Sequence, residues 1–176
     1  MNPSDADPWP VIVRLDEVGK RLDRHLAADE TDRARIAKAL DLPALNMLEA
    51  DVSVTQTGPA GEVRGKLHAQ VVQICGVSLD PFETDIEAEF AVPFTTEPAP
   101  DPDPEVEEFG LADLDAPDVV DSGVLDLGAY VVEHLALELD PFPRKPGVEF
   151  EAPPPEREAS PFAVLTHLKT GEEPEQ

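Results

Sequence analysis

The sequence predicts an α+β domain, with an antiparallel sheet of four or more strands packed against two or three helices. Three observations predict it. Residues 82–94 alternate apolar and acidic side chains with hardly a break, which is the period of a half-buried strand. Residues 46–56 and 62–75 alternate in the same way, and short turns join all three, so their pairing is antiparallel. Two segments with an aspartate at their head carry apolar residues at helical spacing.

The elements follow in order. Residues 9–15 contain Val11, Ile12 and Val13 and read as a first strand; residues 16–28 are mixed and carry no clear period. Asp29 or Thr31 caps a helix through Leu40, which ends before Pro43. In 46–56, Leu48, Ala50, Val52 and Val54 share one face. A Gly-Pro-Ala-Gly turn at 58–61 leads to 62–75, where Val63, Leu67, Ala69 and Val71 alternate with Arg64, Lys66, His68 and Gln70. The phase shifts at Val71–Val72, which predicts a bulge or bend there and permits the sheet to curl towards a barrel. In 82–94, Phe82, Ile86, Phe90 and Phe94 face one way, and Glu83, Asp85, Glu87 and Glu89 the other. Asp126 caps a second helix to about Leu139, and Ser160-Pro161 opens a short third one carrying Phe162, Val164, Leu165 and Leu168.

The length, 176 residues, suits a single domain over 1–176, and the apolar fraction of 41% allows a core. Two stretches break the pattern. Residues 97–121 read as a mobile acidic insertion, and 144–159 as a loose proline-rich segment. One cysteine, Cys75, permits no internal disulfide, as befits a reducing compartment. No leader pattern follows Met1 and no apolar run is long enough for a membrane span, so a cytoplasmic protein is expected.

Charge is the strongest functional signal. The formal net charge is −25, and no lysine or arginine occurs between Lys66 and Arg144. A region so acidic repels phosphate backbones and attracts basic proteins. Glu83, Asp85, Glu87 and Glu89 stand about 6–7 Å apart along one strand face, a preformed acceptor for Lys and Arg side chains or else an ordinary wet face. Arg14, Arg33, Arg35, Lys38, Arg64 and Lys66 are the counterweight, a candidate RNA-binding set without the interleaved aromatics that stacking on single strands requires.

Catalytic and metal chemistry find little support. Zinc needs about four N or S ligands, and Cys75 has no second cysteine near it. The four histidines are far apart in sequence, and the carboxylates of 101–108 lack the pattern of a calcium loop. No catalytic residue, metal or cofactor is expected.

The order of segments resembles the YceD family of bacterial proteins, named for large ribosomal RNA subunit accumulation. Three stretches carry the resemblance. The first is Val71-Val-Gln-Ile-Cys-Gly-Val-Ser-Leu-Asp-Pro-Phe-Glu-Thr84 running into Ile86-Glu-Ala-Glu-Phe90. The second is Asp121-Ser-Gly-Val-Leu-Asp-Leu127 leading to Glu133-His-Leu-Ala-Leu-Glu-Leu139. The third is Ser160-Pro-Phe-Ala-Val-Leu-Thr-His-Leu-Lys169. Many members carry Cys-x-x-Cys at the turn, whereas this chain has Cys75-Gly-Val-Ser78, so no metal role carries over. The resemblance implies a non-enzymatic ribosome-biogenesis factor that supports accumulation or processing of large-subunit ribosomal RNA. The charge pattern adds a partner: a basic ribosomal protein or rRNA-processing factor held on the acidic face. Direct ribosomal RNA binding through the basic set is the alternative, and a metal-dependent nuclease a third class.

Overall fold

The computed structural model describes residues 7–97 and 116–150. Two compact units divide the chain, Met1–Pro146 and Gly147–Gln176. Every strand and helix described lies in the first; of the second, residues 147–150 are described and form neither. The expected helix from Ser160 and most of the expected insertion, residues 98–115, lie outside the described residues.

Strand β4 (Ala60–Ile74) is the middle of the main sheet, flanked by β3 (Ala44–Thr57) and β5 (Pro81–Thr95), both antiparallel to it. β2 (Arg21–Ala27) pairs with the far side of β3, and the two-residue β6 (Asp118–Val119) runs parallel to the end of β5. Two departures from expectation follow. The β5–β6 pair makes the sheet mixed rather than wholly antiparallel. The sheet also stays open, in the order β2-β3-β4-β5-β6, instead of closing like a barrel. Closure is unnecessary because helices cover the dry face: α2 (Glu30–Ala39) packs on β3, and α3 (Leu127–Glu138) on β4 and β5.

Alternation places the core. Val54 and Val63 face each other across β3 and β4 and are fully buried, as are Ala69 and Val71 further along β4. Glycine makes room for two aromatic rings from β5. Gly65 pairs with Phe90, and a Cβ at 65 would lie 2.3 Å from the Phe90 ring; Gly61 pairs likewise with Phe94. On its other side Phe90 stacks against His134 of α3, with ring centroids 4.3 Å apart.

The expected bulge at Val71–Val72 is corrected. β4 keeps its phase to the end, with Gln73 buried and Ile74 exposed. Buried Gln73 has the look of a phase break, but its amide Nε2 donates to the carbonyl of Asp140 at 3.2 Å, which satisfies it. The irregularity sits in the partner strand, where the register slips between Leu45 and Met47.

A second, two-stranded sheet joins the ends of the chain segment. β1 (Ile12–Arg14) pairs antiparallel with β7 (Val124–Asp126). The mixed stretch after β1 resolves into a four-residue helix, α1 (Leu15–Val18), followed by β2. Asp126 caps α3 as expected and does more: Oδ1 accepts from Gly128 and Ala129 of the helix and from Val11 of the N-terminal segment. The approach is so close that a Cβ on Gly128 would lie 1.7 Å from the Trp9 carbonyl oxygen.

Candidate functional site

The solvent face of the sheet carries the acids of β5, and pairing decides what stands beside each. Antiparallel register sets Lys66 of β4 opposite Glu89, His68 opposite Glu87 and Gln70 opposite Asp85. On the other side of β4, Asp51 faces Lys66 and Glu49 faces His68. Charges that lie far apart along the chain therefore meet on one surface.

The two ends of this face differ. At the end near the β3–β4 turn, positive and negative side chains alternate. Arg21 pairs with Asp23 at 2.7 Å, Arg64 with Glu62, and Lys66 with Glu89, while His25 reaches Asp51 at 2.9 Å. The carboxyls of Asp23 and Glu62 are held below their ordinary range by hydrogen bonds from Arg21 and Arg64. Lys66 is raised by its hydrogen bond to Glu89. Arg21, Asp23, His25, Asp51, Arg64, Lys66 and Glu89 line a hollow of about 710 Å³ on this end.

The other end is acidic. Among the described residues Glu49, Glu83, Asp85 and Glu87 make no ion pair with a lysine or arginine; His68 approaches Asp85 at 3.7 Å, and Asn46 Nδ2 donates to Glu83 at 2.6 Å. A smaller hollow of about 420 Å³ reaches from Lys66 to His68 and Glu87. Met47 and Val72, both half-buried, lie on this end and give it an apolar component.

The expected acidic set is thus split by the fold. Glu83, Asp85 and Glu87 stay together, Glu89 is neutralised by Lys66, and Glu49 of β3 joins the group from the other side of His68. Glu49 alternates in the sequence with the apolar Leu48 and Ala50, which puts it on the polar face of its strand, but only the register reveals its neighbours.

The basic set is dispersed over several elements. Arg14 is on β1, bound to Asp16 at 2.9 Å; Arg35 pairs with Asp32 within α2. Arg33 donates to the Ala28 carbonyl at 2.8 Å, and with Lys38 it lines a separate hollow between α2 and the start of β3. Arg64 and Lys66 share the large hollow with Arg21 and Arg24.

Cys75 is fully buried in the β4–β5 turn. Backbone N–H groups of Ser78 and Lys145 point at its Sγ, at 3.4 and 3.3 Å. They and the Ser78 side chain bring the thiol down to about 6, against the desolvation that raises it. Tyr130 moves the other way: burial and the carboxylate of Asp118, which accepts its hydroxyl at 3.1 Å, raise it. Among the described residues no cluster of three His, Cys, Asp or Glu side chains is arranged to hold a metal ion, and no helix is long and apolar enough to cross a membrane.

No curated protein and no solved structure matches the chain. A family model does, from Val63 in the middle strand through α3 to residue 169, and its description is large ribosomal RNA subunit accumulation protein YceD. The match covers more than half of the chain, including β5 with its acids and the Cys75 turn, and on that ground the chain belongs to the YceD family.

Proposed function

We propose that this protein is a non-enzymatic ribosome-biogenesis factor. It supports accumulation of large-subunit ribosomal RNA by holding a basic protein, a ribosomal protein or a processing factor, on the acidic end of its sheet. The family description supports the ribosomal part of the reading. A single observation carries the mechanism: Glu49, Glu83, Asp85 and Glu87 converge from two strands onto a rigid surface where, among the described residues, none of them is in an ion pair with a lysine or arginine, and the adjacent Lys66 is taken by Glu89. Exposed carboxylates along one strand face, with another across the intervening strand, repel one another and gain from a cationic side chain laid between them. Met47 and Val72 offer apolar contact within the same surface, so the best-fitting segment is basic and amphipathic.

Steering of this kind acts mainly on the rate of encounter and fades as salt screens it over about 8 Å at physiological ionic strength. The test is capture of large-subunit components on immobilised protein at low and high salt. A basic protein should be retained at low salt, released at high salt, and lost with Glu83→Lys/Glu87→Lys. In cells lacking the protein, large-subunit ribosomal RNA should fall and be restored by the wild type but not by that variant. Equal capture by wild type and variant would refute the mechanism.

A further inference from the structure

The β4–β5 turn is fastened to the chain that follows α3. Gly76 N–H donates to the Pro143 carbonyl at 2.8 Å, Lys145 N–H to Cys75 Sγ at 3.3 Å, and the Gln73 amide to the Asp140 carbonyl at 3.2 Å. Asp140 Oδ1 in turn accepts from Phe142 N–H at 2.8 Å. Residues 140–145 form neither helix nor strand, yet these bonds fix their backbone at successive points.

The fixed segment displays its side chains instead of burying them. Phe142 is 80% exposed, and Arg144 and Lys145 beside it are exposed as well. Neither cation takes part in an ion pair among the described residues. Leu79, on the other side of the fastening, is 74% exposed and held at a φ of 61°, a conformation that costs a non-glycine residue about 1 kcal/mol or more. Nothing in core formation calls for an exposed phenyl ring on a pinned backbone.

We infer that Phe142, Arg144 and Lys145 form a contact for single-stranded RNA. An exposed ring on a fixed backbone is a stacking platform for an unpaired base, and two adjacent cations match the flanking phosphates. The formal charge of −25 repels phosphate over most of the rest of the surface, which confines the contact to a few nucleotides and makes it salt-sensitive. Of the basic residues in the N-terminal half, Arg14, Arg35, Arg64 and Lys66 are already paired. The contact rests on the ribosomal RNA part of the proposed function and is independent of the acidic end.

The experiment is fluorescence anisotropy with a labelled single-stranded RNA of about 12 nucleotides, within the range one small domain spans, in low salt. The wild type should bind, and Phe142→Ala should weaken binding about 5- to 160-fold, the worth of one stacked base. Phe142→Trp should restore it. Arg144→Ala/Lys145→Ala should weaken binding and flatten the salt slope by about 1.4, the value for two phosphates on a single strand. Because Phe142 is exposed, its truncation should leave the urea midpoint unchanged, so loss of binding will not be loss of fold. Phe142→Ala should also still capture the basic protein, which separates failure here from failure of the acidic end. Absence of wild-type binding, equal binding by Phe142→Ala, or failure of Phe142→Trp to restore it would each overturn the inference.

Discussion

The two ends of the solvent face share β3, β4 and β5, yet one is electrically balanced and the other is not. Near the β3–β4 turn, Arg21, Arg64 and Lys66 stand among Asp23, Asp51, Glu62 and Glu89. Towards the β4–β5 turn, Glu49, Asp85 and Glu87 stand around His68, and Glu83 lies beyond them opposite Val72. The difference arises where β4 changes composition: its outward residues are Arg64 and Lys66 at one end, then His68, Gln70 and Val72 at the other. A β-hairpin brings early residues of one strand against late residues of the next, so the cations of β4 meet Glu89 and leave Glu83 and Asp85 alone. Linear segregation of charge survives folding only in the part of the sheet that the cations do not reach.

The largest effect should come from removing the packing beneath the balanced end. Phe90→Ala removes a ring that fills the space over Gly65 and stacks on His134. It should cost about 3–5 kcal/mol in urea unfolding and loosen the register that sets Lys66 beside Glu89. A stability close to wild type would mean that the dry face does not fix the charge pattern. Next in size, Gly128→Ala should destabilise the fold strongly in the same assay, because its Cβ meets the Trp9 carbonyl, which is backbone and cannot swing aside.

Chemistry beside the acidic end is tested by pH. Cys75 has a thiol brought from 9.0 to about 6 in the folded protein, so between those values the unfolded chain binds more protons than the folded one. Stability from this group should be complete above pH 9, and should be lost as pH falls through about 6. Urea midpoints across that window should rise with pH in the wild type and rise less in Cys75→Ala. The smallest structural effect is expected from Lys66→Gln, since both side chains of the Lys66–Glu89 pair are 72% exposed. Its urea midpoint should match wild type while low-salt capture of a basic protein strengthens, because Glu89 then adds to the acidic end. Weaker capture would show that the balanced end is the binding surface.

Much of the architecture was readable in the residues. β5 was plain because one face is wet and the other dry, which imposes a period of two on every residue from Phe82 to Phe94. The cap at Asp126 was plain because a carboxylate before an apolar period has a local physical reason, whereas the residues offered both Asp29 and Thr31 for the first helix and the structure uses Asp29. β2 was obscured because an edge strand buries little, and only Leu26 of its seven residues is fully covered. Gln73 misled because its partner, the Asp140 carbonyl, lies 67 residues away and leaves no local trace. β6 escaped notice because two exposed residues carry no period at all. For the candidate site, Glu83, Asp85 and Glu87 could be read as one face, whereas the neutralisation of Glu89 and the arrival of Glu49 depend on strand register, which no single segment encodes.

The bond from Val11 N–H to Asp126 Oδ1 spans 115 residues. A chain growing from its amino end has no partner for that first strand until β7 has been made. Native structure at the front of the molecule must therefore wait on the back, and such distant closure slows folding. A fragment trimmed to start at Val63 would lose β1, which pairs beside the start of α3, and β3, which pairs with one side of β4.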